Sequence, residues 1–252
     1  MDWGVGGFGM VRALLRRSPK INLVYFSDSG FLPYGKVPAR VLERRLLRVL
    51  ESFVERGVRC AVVACNAAST VVPKLRPRLP EGLVVHEVIG PGVALVRGAR
   101  IRRVGLLGGA RTVRAGAHRA SLRAWNVEVV SRIAQPLSAY VEAGELESAR
   151  VVAEVTQIVG PLADLPAILL ACTHYPAILP IFRAVLPGMV FLDPAERLAD
   201  AVVAELLPPG RHTSRGPGLV VLTTGDPDAT RTAARLAFGI DVGEVARISF
   251  SD

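Results

Sequence analysis

Ala61-Val62-Val63-Ala64-Cys65-Asn66 and Ile168-Leu169-Leu170-Ala171-Cys172-Thr173-His174 are two copies of one local pattern: an apolar run, a cysteine, and polar residues directly after it. Each run is short for a helix and reads as a buried parallel strand. Each thiol then sits where a strand stops. In an open α/β sheet the carboxyl ends of strands face the ligand crevice, and a helix starting there aims free N–H groups and the positive end of its dipole at the thiol. That setting is expected to favour thiolate. Cysteine is also a common core residue, and either one alone reads as a core filler. The matched contexts of the two favour chemistry.

Two thiols on opposite walls of one crevice can invert a carbon held between them. One thiolate removes the proton while the other thiol delivers one from the opposite face. Such racemisation or epimerisation needs no cofactor.

Working outward from these runs, further strand-like segments recur at 22–26, 84–89, 103–107, 127–130, 189–192 and 219–222. Helical periodicity occupies 39–55, 115–125, 148–160 and 194–206. Strand–helix alternation implies parallel sheets with right-handed crossovers, so the fold class is α/β. The repeated strand-Ala-Cys unit predicts two similar lobes, mainly of parallel sheet flanked by helices, with the active site in the cleft between them. Ile89-Gly90-Pro91-Gly92 reads as one crossing between lobes and Leu207-Pro208-Pro209-Gly210 as the return. The lobes are thus expected at 1–92 plus 208–252, and at 93–207.

The 252 residues are half apolar, enough for one large core or two small ones. The formal charge of +9 rests on arginine, the lysines being Lys20, Lys36 and Lys74. The arginines are dispersed along amphipathic segments such as 40–48, which reads as a solvated basic surface rather than a nucleic-acid face. Three cysteines without close spacing make neither a disulfide framework nor a zinc site. No signal-peptide pattern opens the chain and no apolar run reaches membrane-spanning length, so a cytoplasmic protein with no membrane partner is expected.

Six blocks, in this order, resemble the glutamate racemase family of the aspartate/glutamate racemase superfamily. They are Asp2-Trp3-Gly4-Val5-Gly6-Gly7, Tyr25-Phe26-Ser27-Asp28, Pro33-Tyr34-Gly35, Ala64-Cys65-Asn66-Ala67-Ala68-Ser69, Ala171-Cys172-Thr173-His174-Tyr175-Pro176 and Thr224-Gly225-Asp226-Pro227. The resemblance implies that Cys65 acts on the D-enantiomer and Cys172 on the L-enantiomer of an amino acid. Asp2 would assist Cys65, and His174 would assist Cys172. An unperturbed thiol titrates near pH ~8.5, so a neighbouring base helps to form thiolate at neutral pH. The backbone around Pro33, Tyr34 and Gly35 would hold the side-chain carboxylate of the substrate. Asn66, Thr112 and Thr173 would hold its α-carboxylate and amine. Glu142 matches a family glutamate near the cleft. Also implied are D-glutamate supply for peptidoglycan, work without pyridoxal phosphate, metal or nucleotide, and room for a homodimer.

The chain departs from the family at three substrate-facing positions. Trp3 replaces a serine, Ala67 a threonine and Gly109 a threonine, so three hydroxyls are missing around the amino-acid end of the site. Each is worth roughly 1.5–3 kcal/mol to a charged ligand. A glutamate racemase with rearranged contacts, a racemase or isomerase of another substrate, and a ligand-binding homologue without turnover all fit these changes. Family members also carry an apolar strand ahead of the aspartate, whereas here Asp2 follows Met1 directly. The sheet is therefore expected to show a gap with unpaired backbone groups, filled by an upstream segment or a partner; otherwise Asp2 would sit on a frayed end.

Overall fold

The computed structural model describes residues 1–206 and 218–250. Among these residues nine parallel strands carry the fold: β1 (Leu23–Ser27), β2 (Cys60–Val63), β3 (Val84–Glu87), β4 (Arg103–Gly108), β5 (Glu128–Ile133), β6 (Ala167–Ala171), β7 (Val190–Leu192), β8 (Leu219–Thr223) and β9 (Val245–Arg247). One sheet runs β5-β4-β6-β7; the others are β1-β8-β9 and β2-β3. The eight strand-like runs of the sequence all appear, within a few residues. β6 is buried along its whole length, as expected of a central parallel strand covered on both faces.

Met1 and Asp2 stitch the two smaller sheets into one. Asp2 donates its N–H to Phe26 O and accepts from Asp28 N, both at 3.0 Å, while Met1 O accepts from Ala64 N at 3.1 Å. The Met1 amino group donates to Val62 O at 2.7 Å. Two residues therefore stand where an inner strand belongs, giving the order β3-β2-(Met1-Asp2)-β1-β8-β9. Asp2 is fully buried and pinned on both sides, so the frayed end does not occur.

A groove of about 480 Å³ opens beneath Met1, between Asn22–Tyr25 on one bank and Val58–Val62 on the other. In a parallel ladder alternate residues face opposite neighbours. β1 turns Leu23 N towards β8 and Phe26 O towards Asp2, so Val24 faces the groove. By the same count Cys60 faces it from β2.

Helices cover the sheets by ordinary amphipathic logic. Helix Ala39–Glu55 buries Leu42, Leu46, Val49, Leu50 and Phe53 at helical spacing and turns Arg40, Arg44 and Arg48 outward, while Arg45 reaches inward to Asp28. The sequence reading missed helices Phe8–Arg17, Gln135–Glu142, Leu179–Val185 and Pro227–Phe238, and strand β9. It also took Ile89–Gly92 for a turn, whereas those residues open helix Ile89–Gly98. Pro91 sits in the first turn, where its missing N–H removes no intrahelical bond. The helix expected at 115–125 runs Ala117–Arg123, and Gly116 in the left-handed region, φ +69°, separates it from an unforeseen helix, Ala110–Ala115. The return expected at 207–210 lies outside the described residues.

The groove yields a prediction through the Met1 amine. Burial lowers it from the ordinary 8.0 to about 6. Between those values the unfolded chain binds the extra proton, so stability falls as pH drops from 8 to 6, by on the order of 3 kcal/mol in total. Adding four apolar, β-branched residues ahead of Met1 turns this amine into a strand amide. The extended protein is expected to melt higher and to lose that pH dependence; equal melting curves at pH 6 and pH 8 for both chains would contradict the account.

Candidate active site

β2 ends at Val63 and Cys65 caps the short helix Asn66–Ser69. β6 ends at Ala171 and hands Cys172, Thr173 and His174 to a turn of 3₁₀ helix. The two strand ends, one from each sheet, face a single cavity of about 270 Å³. Its lining holds all twelve residues singled out from the sequence: Asp2, Trp3, Pro33, Tyr34, Gly35, Cys65, Asn66, Ala67, Thr112, Cys172, Thr173 and His174. Gly109 lines it too, with Lys36, Gln135 and Ser138, which the sequence reading did not flag.

On the Cys172 side a chain of contacts crosses the cleft. His174 Nδ1 lies 3.7 Å from Cys172 Sγ, and His174 Nε2 lies 2.5 Å from Glu142 Oε1. Burial alone would lower His174, but its bonds to Cys172 and Glu142 outweigh that and hold it well above the ordinary imidazole value. These partners favour the protonated ring, whose Nδ1 faces the sulfur. Glu142 Oε1 also accepts the N–H of Val5 at 2.8 Å, tying the amino-terminal loop to the pair. That approach requires glycine. A Cβ on Gly4 would strike Glu142 Oε1, and one on Gly6 would lie 2.7 Å from His174 Nδ1.

On the Cys65 side the environment is drier. Burial, and then the charge of Asp2, push the Cys65 thiol well above its ordinary value, while the N–H groups of Ala68 and Ala67 offset part of this. The expectation of a ready thiolate at this strand end is thus corrected. Four residues of helix supply too little dipole to outweigh complete desolvation. Burial likewise raises Asp2, against the pull of His174. Asp2 Oδ1 accepts from Trp3 N at 2.7 Å, but Asp2 Oδ2 and Asn66 Oδ1 are buried with no partner among the described residues. Orphaned acceptors beside a cavity point to a ligand that donates hydrogen bonds.

The turn at Pro33–Gly35 is held from behind. Tyr34 is buried, and its hydroxyl donates to Asp28 Oδ2 at 2.6 Å. Asp28 takes two bonds from Arg45, at 2.6 and 2.8 Å, and one from the Thr224 hydroxyl at 2.8 Å. With the phenol locked away, Tyr34 offers the cavity its backbone. The Thr224–Pro227 block has a supporting place in the same way, Asp226 capping helix Pro227–Phe238. Trp3 swings its indole N–H to Phe31 O at 2.9 Å and lies 6.4 Å from the His174 ring. Among the described residues no cluster of three or more His, Cys, Asp or Glu is arranged to hold a metal ion. No helix among them is long and apolar enough to cross a membrane.

The profile of the Asp/Glu/Hydantoin racemase family matches residues 11–202 of this chain. The glutamate racemase of Thermus thermophilus is 36% identical over 257 aligned residues, covering 100% of this chain and 95% of that protein. The glutamate racemase of Pseudomonas paraeruginosa is 33% identical over 194 residues, or 74% of this chain and 72% of that one. The crystal structure of the Thermus thermophilus glutamate racemase with β-chloro-D-alanine matches at a TM-score of 0.87 and 33% identity, covering 98% and 94% of the two chains. That of the Francisella tularensis enzyme with D-glutamate reaches 0.90 over 99% and 95%, a likeness of fold at 22% identity.

The raised His174 value gives a prediction with a definite sign. A histidine raised by its partners stabilises the fold fully below the unfolded value near 6.5, and that stability is lost as pH climbs through the folded value. Glu142→Gln keeps a hydrogen bond but removes the charge. It is expected to lower the His174 titration seen by NMR and to cost about 1–3 kcal/mol at pH 6, with the two proteins converging at alkaline pH. An unmoved imidazole titration would refute the pairing.

Proposed function

The chain belongs to the Asp/Glu/Hydantoin racemase family, and on that premise we propose that it is an isomerase interconverting L- and D-glutamate without pyridoxal phosphate. One observation carries the reading: two thiols at equivalent strand ends, each with its own acid–base neighbour, open on one small cavity. In this reading Cys65 with Asp2 serves the D-enantiomer and Cys172 with His174 the L-enantiomer. Removing the α-proton from one face and returning a proton from the other inverts the centre with no net redox change. The backbone of Pro33–Gly35 takes the side-chain carboxylate, while Asn66, Thr112 and Thr173 take the α-carboxylate and amine. The unpartnered oxygens of Asp2 and Asn66 are acceptors suited to an ammonium group.

Residues 1–92 with 208–252, and residues 93–207, are proposed as two lobes that close on the substrate, the first already within reach of the second through Val5 and Glu142. The proposed setting is the cytoplasm, with D-glutamate feeding peptidoglycan synthesis and the chain working alone or as a homodimer.

Deuterium uptake at Cα in heavy water tests the chemistry directly. The unmodified chain is expected to exchange the α-proton of both glutamate enantiomers. Cys65→Ser and Cys172→Ser should each abolish racemisation, while a single variant retains exchange on the enantiomer served by its remaining thiol. Full racemisation by either variant would place the chemistry elsewhere.

A racemase acting on a different amino acid is the second reading, favoured by Trp3 and Ala67, which line the cavity where the family has hydroxyls. Trp3→Ser combined with Ala67→Thr should lower KM for glutamate more than the single changes sum to, because a hydroxyl cannot help while an indole stands in the approach. Ordinary turnover of glutamate by the unmodified chain, or a loss of rate in the double variant, would remove this second reading.

A further inference from the structure

Gln135 lines the cavity at the start of helix Gln135–Glu142. Its Oε1 accepts the backbone N–H of Ala110 at 3.0 Å. That N–H can only donate, so the amide atom facing it must be the oxygen, which fixes the orientation of the side chain. The NH2 group is the end left over. One of its hydrogens has a long contact with Ser138 Oγ, 3.5 Å away, and the other has no acceptor among the described residues.

Both neighbours of this amide are glycines that leave room for it. A Cβ on Gly109 would stand 2.9 Å from Gln135 Oε1, and one on Gly35 would stand 2.6 Å from the same atom and 3.2 Å from Nε2. A threonine at position 109 could not coexist with the amide in this position. The open volume at Gly109 is filled by the side chain of Gln135, which enters from the next strand–helix junction and brings its own donor.

We propose that Gln135 is a substrate-binding and specificity-determining residue, its NH2 group donating to the anionic end of the substrate that the Tyr34–Gly35 backbone also holds. This rests on the reading of the cavity as an amino-acid racemase site and adds the group that selects a carboxylate there. A primary amide donates strongly to a carboxylate, and its fixed oxygen stays committed to Ala110.

Two near-isosteric variants test it. Gln135→Met removes the donor and keeps the volume. It is expected to raise KM for glutamate about tenfold or more with kcat within about twofold, the signature of lost ground-state binding. Gln135→Glu keeps an acceptor for Ala110 and replaces the donor by a second anion. It should weaken glutamate further and shift Cα–H exchange in heavy water towards glutamine, whose amide can donate to the new carboxylate. Melting temperature, read alongside, shows that both variants are folded. Unchanged KM in Gln135→Met, or an unchanged glutamate-to-glutamine ratio in Gln135→Glu, overturns the proposal. If the unmodified chain exchanges no glutamate proton, the activity reading fails by itself. Calorimetric binding of glutarate then decides for Gln135: weaker binding to Gln135→Met supports it and equal binding refutes it.

Discussion

The close approach of the Gly4–Gly7 backbone to the His174–Glu142 pair is the constraint on which the site depends. Glu142 takes one bond from the imidazole and one from Val5 N–H on the same oxygen, so a single carboxylate joins the amino-terminal loop to the second sheet. Asp2 and Trp3 lie at the head of that loop. Their positions over the cavity follow from the glycines, since a side chain at Gly4 or Gly6 would drive the loop off the pair. The arrangement is costly to desolvate and strong once formed.

Desolvation then decides the state of the two acid–base sides, and it decides them differently. His174 is buried but surrounded by groups that favour its cation, so it holds its proton. Cys65 and Asp2 are both pushed towards neutrality, Asp2 by burial alone and Cys65 by burial with the charge of Asp2 added to it. An ammonium group brought in by a substrate reverses the local balance, because an opposite charge within ~4–6 Å favours the ionised form of both. In the proposed mechanism the substrate thus helps to prepare the base that attacks it.

The fold was legible in the sequence where burial alone shapes a segment. The eight strand-like runs and helix Ala39–Glu55 carry their periodicity on their face. Helix Phe8–Arg17 was hidden because it follows Gly6-Gly7 and has no side-chain cap, so no start signal precedes its apolar spacing. Strand β9 is three residues long and gains its identity by pairing with β8, which no local pattern records. Eleven of the twelve lining residues were legible because they lie in blocks that resemble a known family, and Thr112 followed from the same resemblance outside those blocks. Gln135 lay outside any such block, and its meaning depends on two glycines 26 and 100 residues away in sequence, positions 109 and 35. Likewise, the turn-holding set of Asp28, Tyr34, Arg45 and Thr224 is assembled by folding and has no linear signature.

The three departures from the family pattern acquire a common physical form once the structure is in view. Each removes a small hydroxyl, and at two of the three positions a larger group now occupies the space. Trp3 is itself that group, its indole anchored on Phe31 O rather than left free in the cavity. At Gly109 the occupant is Gln135, anchored on Ala110 N. Both newcomers have one polar atom committed to backbone, which fixes their geometry. They differ in what remains: the indole has spent its only donor, whereas the amide retains one. The end of the cavity near Trp3 has therefore lost hydrogen-bonding capacity, whereas Gly109 lies with Gly35 against Gln135, away from the amino-acid end where the sequence placed it, and the Gly35 end has the amide as a donor. A ligand that suits this cavity makes its strongest polar contacts at the far end and at the two orphaned acceptors, and meets an apolar wall beside His174.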